Sequence, residues 1–199
     1  PPNSFIASTA AIIHLGAKPV FVDVLPDQNI DPSKIEAAIT EKTKAIMPVH
    51  LTGRMCHMDP IIEIAKNYNL KVIEDAAQSV GSKYKGKRIG SFGDVGCFST
   101  HPLKNLNACG DGGFLTTNDE KIFNQTKLYR NHGMADRNIV LNFGSVSRMD
   151  NLQAAILNYR LDKLKATTDK RRRNAVSDKR RVRSPTKKYI NIIHQQKKL

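Results

Sequence analysis

The chain has 199 residues, 40% of them apolar, which is enough for one sizeable domain with a buried core. Its formal net charge of +14 raises nucleic acids and anionic membranes as partners. However, residues 168–199 hold 12 Lys and Arg against 2 Asp and Glu, whereas residues 1–167 hold 20 against 16. The positive charge therefore belongs mainly to a basic tail and says little about the partners of residues 1–167.

The sequence disfavours membrane proteins, disulfide-bonded secreted proteins and zinc proteins. No apolar run approaches the roughly 20 residues that cross a bilayer, so we expect no membrane partner. Cys56, Cys97 and Cys109 are odd in number and form no C-x-x-C pair, which indicates a reducing compartment and predicts a cytoplasmic protein. His50 and His57 lie near Cys56 without a second cysteine or a carboxylate at zinc-like spacing, so we expect no metal site.

Short runs rich in β-branched and aromatic residues alternate with helical patterns along most of the chain. This alternation is typical of crossover units, so it predicts an α/β fold with a mainly parallel, mixed sheet flanked by helices. The predicted strands cover residues 19–24, 44–50, 71–77, 95–100 and 113–117.

Three segments between or after these strands have helical signals. Asp31 with Pro32, and Asp59 with Pro60, resemble helix starts, because Asp is a favoured N-cap and Pro fits the first turn. Residues 151–164 carry apolar side chains at helical spacing and predict an amphipathic helix that packs on the core.

The basic tail, residues 168–199, has few apolar side chains, and we expect it to be poorly ordered. Phosphate contacts from its Lys and Arg residues could support a nucleic-acid-binding function. The tail has no helix-turn-helix, zinc or aromatic stacking signature, so we consider nucleic acid an unlikely partner and keep this function as the alternative.

Polar side chains follow the predicted strand at residues 71–77. In open α/β sheets ligands bind beyond the carboxyl ends of the strands, where Glu74, Asp75 and Gln78 would project. The spacing equally allows Asp75 to cap a following helix and Gln78 to be an ordinary polar residue.

Lys104 follows the predicted strand at residues 95–100, with Ser99 and His101 beside it. A lysine next to a buried strand loses hydration, and this loss favours a neutral amine that can attack a carbonyl. Ser99 could bind a phosphate, whereas His101 is interpreted as a loop histidine. A solvated surface lysine is the alternative for Lys104. The glycines at 110–113 lead into a strand, so they predict a turn with positive φ rather than a phosphate cradle.

A carboxylate, a glutamine, a serine and a lysine at the ends of two strands together fit a pyridoxal phosphate site. This coenzyme needs a lysine for its Schiff base and an acid that keeps its pyridine nitrogen protonated. Residues 72–113 also strongly resemble the central segment of the DegT/DnrJ/StrS class of sugar-nucleotide aminotransferases. Further segments resemble this class in the same order, so that the resemblance runs from residue 1 to about residue 177; they are residues 3–24, 42–53, 128–133 and 147–164.

The resemblance implies a three-layer α/β/α architecture, the large domain of pyridoxal-phosphate-dependent transferases with the type I aspartate-aminotransferase-like fold. Residues 1–167 would form this domain without its N-terminal segment, which in the family carries a Gly-Thr phosphate-binding turn. Residues 168–199 would be the start of a truncated or aberrant C-terminal region. We therefore expect a fragment of the large domain.

The resemblance also implies roles for individual residues. Lys104 would be the catalytic lysine of the Schiff base, and Asp75 would bind the pyridinium nitrogen. Gln78 would bind the phenolic oxygen of the cofactor, and Ser99 its phosphate. Phe5 would supply the aromatic ring that stacks on the pyridine face.

The implied reaction moves an amino group from an amino acid, with glutamate as the implied donor, to a nucleotide-linked keto sugar. Related sugar dehydratases carry a histidine in place of the lysine, so Lys104 favours transamination. The family builds its active sites at a subunit interface, which implies a homodimer for the full-length protein. An inactive fragment of the aminotransferase is a further alternative.

Overall fold

The computed structural model describes the backbone of residues 1–183 and the side chains of residues 1–176. Residues 1–183 contain eight strands. They are β1 (Ala45–Ile46), β2 (Lys71–Asp75), β3 (Lys83–Tyr84), β4 (Lys87–Arg88), β5 (Val95–Ser99), β6 (Gly113–Thr116), β7 (Met134–Asp136) and β8 (Ile139–Val140).

The main sheet has the strand order β1-β2-β5-β6. β2 pairs in parallel with both β1 and β5, and β6 pairs with β5 in the antiparallel direction. The remaining strands form two small antiparallel hairpins, β3-β4 and β7-β8. A mixed, mainly parallel sheet was predicted from the sequence, and the structure confirms it.

Five α-helices accompany the strands in the described backbone: α1 (Ile6–His14), α2 (Met58–Asn67), α3 (Glu120–Tyr129), α4 (Asn151–Leu161) and α5 (Leu164–Arg183). Short 3₁₀ turns lie at Pro32–Lys34, Glu36–Ala38 and Leu51–Gly53. Among the helices of residues 1–183, none has the length and apolar character that a bilayer crossing requires.

The two faces of the main sheet differ in burial. Val72 and Glu74 in β2, and Phe98 in β5, are buried, whereas Asp75 and Ser99 are half-buried. Successive side chains of a strand point to opposite faces, so one face is packed and the other is partly open.

Helices lie against both of these faces. Ile61 of α2 packs with Val72 in one hydrophobic cluster, so α2 covers the buried face. Ser8 of α1 contacts Asp75, which belongs to the opposite face. This arrangement agrees with the expected three layers. A second hydrophobic cluster joins the end of the sheet to α4; it contains Ala76, Val80, Ile89, Phe98, Leu106, Ala108 and Leu157.

Two of the predicted strands are shorter or missing. Residues 19–24 form only an isolated bridge between Val24 and Ile30, and Val20 is exposed. A strand requires a partner for its backbone groups, and the described residues supply none there. Residues 44–50 form β1 and then one bridge from Val49 to Asp75, because Pro48 has no N–H group for a continuous ladder.

The structure also differs from the prediction at the two helix starts. Asp31 accepts the Ser33 N–H group as an N-cap, but the residues that follow form 3₁₀ turns. α2 begins one residue before Asp59, with His57 at the N-cap position. The Asp59 carboxylate instead accepts a hydrogen bond from the Tyr84 hydroxyl at 3.2 Å.

The expectation of poor order from Thr168 onward is wrong for residues 168–183, which belong to α5. Lys, Arg and Ala are good helix formers, and Asp169 pairs with Lys165 at 2.8 Å, one helical turn away. Residues 184–199 of the predicted basic tail lie outside the described residues.

Glu74 is buried at the end of β2 and acts as a structural anchor. Its Oε1 accepts hydrogen bonds from the N–H groups of Phe92 at 2.8 Å and Gly93 at 2.7 Å. Its Oε2 accepts one from the Gly90 N–H group at 3.0 Å and lies 3.3 Å from His50 Nε2. Glu74 therefore faces the protein interior, and the expectation that it projects into a binding site is wrong.

The charge state of this buried pair follows from its contacts. His50 Nδ1 accepts the Cys56 N–H group at 3.1 Å, so it carries no proton, and the neutral ring donates Nε2–H to Glu74. Burial alone raises the pKa of Glu74, but the hydrogen bonds from His50 and the three backbone amides lower it overall. Glu74 is therefore an ionised carboxylate that holds loop 90–93 against the sheet.

We predict that Glu74→Gln lowers the free energy of unfolding by about 2 kcal/mol at pH 7, because the amide group faces backbone donors that then lack an acceptor. Chemical denaturation measures this change, and Glu63→Gln on the exposed side of α2 is the matched control. Because the folded-state pKa of Glu74 is lowered, its contribution is present above its unfolded pKa of about 4.3 and is lost as the pH falls through the folded pKa. A difference between wild type and variant that does not shrink on acidification contradicts this assignment.

Candidate active site

The carboxyl ends of β2 and β5 lie side by side and present polar side chains on the partly open face. Asp75 pairs with Cys97 in the parallel register, and Ser99 follows two residues later in β5. Paired residues of neighbouring strands share a face, so Asp75, Cys97 and Ser99 point to the same side of the sheet. Burial raises the pKa of the Cys97 thiol, and the nearby Asp75 charge adds to this effect, so Cys97 is a neutral neighbour.

The Asp75 carboxylate has two protein donors. Its Oδ2 accepts the Ser8 hydroxyl at 2.5 Å, and its Oδ1 accepts the Ala77 N–H group at 3.1 Å. The residues after Asp75 form turns and no helix, so the alternative that Asp75 caps a helix is wrong. A carboxylate can accept about four hydrogen bonds, so Asp75 retains capacity for a further donor at the open face.

Gln78 is held beside this edge by the turn at Leu51–Gly53. Its Oε1 accepts the N–H group of Thr52 at 2.7 Å. Thr52 has a φ of 56°, an uncommon conformation for a threonine, and the hydrogen bond to Gln78 helps to stabilise it. The oxygen is thereby occupied, and the Gln78 amide NH₂ group is the part that can donate to a ligand.

Ser99 and Thr100 place two hydroxyl groups where β5 ends. Ser99 Oγ accepts the His101 N–H group at 3.2 Å and is half-buried. Thr100 Oγ1 is buried and has no hydrogen-bond partner among the described residues. A buried hydroxyl without a partner is uncommon, and Thr100 is 0% exposed, so a ligand does not reach it in this structure.

The glycines at 110–113 are required for a different reason than predicted. None of Gly110, Gly112 and Gly113 has a φ in the left-handed region, so the predicted positive-φ turn is wrong. A Cβ atom on Gly112 would lie 2.7 Å from Thr100 Oγ1, and one on Gly113 would lie 2.6 Å from the Phe98 carbonyl oxygen. Glycine therefore allows the returning chain to approach the end of β5 closely.

Lys104 lies in the loop that continues from Ser99. The loop closes locally, because the Lys104 N–H group donates to the His101 carbonyl at 2.8 Å. The Lys104 side chain is half-buried and forms no ion pair within the described part of the chain, so its amine is not committed to a protein carboxylate.

Helices α4 and α5 hold the Lys104 loop from outside. Gln153 Oε1 accepts the Cys109 N–H group at 2.8 Å, and Arg160 Nη1 donates to the Asn107 carbonyl at 2.7 Å. Arg171 Nη1 donates to Asn105 Oδ1 at 2.7 Å, directly beside Lys104. Arg171, which belongs to the predicted basic tail, therefore helps to hold the loop that carries Lys104.

Phe5 lies immediately before α1 and is 67% exposed. The structure connects it to the site only through α1, whose Ser8 contacts Asp75. Ser8, Thr52 and Arg160 were not predicted from the sequence. Ser8 lies only three residues after Phe5, and this nearness in sequence is the one signal that could have drawn attention to it.

These donors and acceptors fit pyridoxal phosphate. Asp75 can accept from a ring nitrogen, the Ser99 hydroxyl can bind a phosphate, and the Lys104 amine is available for an aldehyde. The lone pairs that Asp75 keeps at the open face are the observation that most favours a ligand with a ring N–H group.

The chain matches the model of the DegT/DnrJ/EryC1/StrS aminotransferase family over residues 1–198. Over 188 residues it is 49% identical to the dTDP-3-amino-3,6-dideoxy-α-D-galactopyranose transaminase of Aneurinibacillus thermoaerophilus. The matched region covers 93% of this chain and 51% of that protein. The chain spans about half the length of the curated relatives that it matches.

Solved structures agree with this match. The Streptomyces venezuelae protein DesV, solved in complex with a ketimine intermediate, is 40% identical with a TM-score of 0.81 over 83% of this chain and 45% of that chain. NtdA from Bacillus subtilis, solved with the bound cofactor PMP, is 43% identical with a TM-score of 0.76 over 81% of this chain and 37% of that chain. The resemblance seen in the sequence is confirmed, and the chain belongs to the DegT/DnrJ/EryC1/StrS aminotransferase family.

Proposed function

We propose that this chain is part of a pyridoxal-phosphate-dependent aminotransferase that moves an amino group from an amino acid to a nucleotide-linked keto sugar. The observation that carries the proposal is the common edge and face of Asp75 and Ser99, with Lys104 in the loop that continues from Ser99. Membership of the aminotransferase family supports the same conclusion.

Lys104 is the proposed catalytic residue, and its amine would hold the cofactor aldehyde as a Schiff base. When free, the same amine would accept and return a proton at the amino acid substrate. Lys104 is half-buried and forms no ion pair among the described residues, so no protein carboxylate holds its amine away from a ligand.

The other site residues hold the cofactor in place. The cofactor ring supplies an electron sink as long as its nitrogen is protonated. Asp75 holds that proton through an ionic hydrogen bond, which is stronger than a neutral one. Ser99 would donate to the phosphate, and the Gln78 amide would donate to the phenolic oxygen. Phe5 would stack on the ring face.

The substrate classes and the compartment are part of the proposal. The relative from Aneurinibacillus thermoaerophilus is named for a dTDP-linked amino sugar, and a second relative for a UDP-linked one, so a nucleotide-linked keto sugar is the proposed acceptor. Glutamate is the proposed donor. Three cysteines without a disulfide support a cytoplasmic location.

A homodimer is the proposed assembly, and hairpin β7-β8 is its proposed contact. Four apolar side chains in or directly after β8 are more than half exposed: Ile139, Val140, Leu141 and Phe143. Phe143 is fully exposed. A contiguous exposed apolar segment of this kind is typical of a protein interface. Nucleic-acid binding has less support, because Arg171 is engaged with Asn105 and Asp169 contacts Lys165.

We predict that Lys104 is the residue labelled when pyridoxal phosphate is added to the chain and the product is reduced with borohydride. Peptide mapping by mass spectrometry should find the label at Lys104 in wild type and in Lys127→Ala, whose side chain is exposed on α3. Lys104→Ala should lose the label and any transamination with glutamate. A folded wild-type chain that labels no lysine, or all exposed lysines equally, contradicts the proposed function.

We also predict that Phe143→Ser shifts the chain from dimer to monomer, because the substitution removes a large apolar side chain from the proposed interface. Analytical ultracentrifugation over a range of protein concentrations measures this shift. Tyr68→Ser, which changes an exposed aromatic residue after α2, is the control and should leave the dimer intact. Equal behaviour of the two variants counts against this interface.

A further inference from the structure

Ser8 makes the contact that joins α1 to the candidate site. Its hydroxyl donates to Asp75 Oδ2 at 2.5 Å across a sequence separation of 67 residues. No residue of α1 is buried, so apolar packing fixes this helix only weakly. The hydrogen bond from Ser8 is therefore a main determinant of where α1 lies on the open face of the sheet.

The same hydrogen bond limits the freedom of the Asp75 carboxylate. The main chain of Asp75 is fixed, because its N–H group donates to the Pro48 carbonyl and its carbonyl accepts from the His50 N–H group. The carboxylate can still turn about its last side-chain bond, a torsion with broad preferences. Ala77 fixes Oδ1 and Ser8 fixes Oδ2, so the two donors together set the plane of the carboxylate.

A second serine, Ser4, fixes the direction in which the Ser8 hydroxyl donates. Ser4 Oγ lies 2.9 Å from Ser8 Oγ. An ionised carboxylate only accepts, so Ser8 uses its one proton toward Asp75 and must accept from Ser4. The donors then run in one direction from Ser4 to Ser8 to Asp75, and both carboxylate oxygens keep lone pairs for a donor at the open face.

We propose that Ser8 is a positioning residue that orients the Asp75 carboxylate toward the ring nitrogen of the cofactor. Ser8 acts through Asp75 and touches no reacting atom. This inference rests on the proposed function and assigns to that site a residue outside the predicted set.

The test compares the binding of pyridoxal phosphate with that of its 1-deaza analogue, in which carbon replaces the ring nitrogen. We expect Ser8→Ala to weaken pyridoxal phosphate binding about tenfold, the typical effect of losing a hydrogen bond to a charged group. The analogue cannot use Asp75, so its affinity should be the same for wild type and Ser8→Ala. Absorption titration gives both dissociation constants, and circular dichroism verifies the fold.

Two further variants separate orientation from general damage to α1. Ser8→Thr keeps the hydroxyl and should restore most of the affinity for pyridoxal phosphate. Thr9→Ala removes a hydroxyl from the neighbouring position of α1, where the described residues offer no side-chain hydrogen bond, and should change neither affinity.

Three outcomes overturn the inference in distinguishable ways. Equal affinity of wild type and Ser8→Ala for pyridoxal phosphate shows that Ser8 does not position Asp75. An equal loss for both ligands assigns Ser8 a purely structural role in docking α1. A wild-type chain that binds pyridoxal phosphate without labelling Lys104, or does not bind it, contradicts the proposed function and this inference with it.

Discussion

The parallel pairing of β2 with β5 is the constraint on which the candidate site depends. Within β2 the strand pleat points Glu74 into the packed interior and Asp75 toward the open face, and the pairing places Asp75 beside Cys97 of β5. The Glu74 carboxylate accepts four hydrogen bonds and stabilises the fold. Asp75 has two donors and retains capacity for a ligand. Adjacent residues of the same chemistry thus acquire different roles because the strand pleat places them in different environments.

Long-range hydrogen bonds then complete the site around this pair of strands. Glu74 fixes loop 90–93 behind the sheet, and Ser8 brings α1 to its front. Arg160 and Arg171, from α4 and α5, hold the loop that carries Lys104. Each of these contacts links segments that are distant in sequence, so the geometry of the site depends on the whole domain rather than on one loop.

One basic residue of the positively charged C-terminal segment, Arg171, has a structural role. A basic composition after Thr168 indicates either disorder or binding to nucleic acid when it is judged alone. In the structure this segment continues α5, and Arg171 contacts Asn105 beside Lys104. Arginine suits this position, because its planar group donates in a fixed direction and carries its charge at all relevant pH values.

Much of the fold follows from local sequence. Alternating strand and helix patterns predicted β2, β5, β6 and α4 close to their observed limits, because hydrophobic periodicity reports which side of an element is buried. The strand expected at residues 19–24 fails, since a strand exists only with a partner.

The sequence by itself determined the family of this protein, and it supplied Asp75, Gln78, Ser99 and Lys104 as candidate site residues. Only the tertiary structure decided that Glu74 is an internal anchor, that Gly112 and Gly113 permit close approach, and that Ser8 contacts Asp75. The physical reason is that composition and spacing record which groups are available. Pairing, burial and hydrogen bonding between distant segments determine which of those groups remain free to bind.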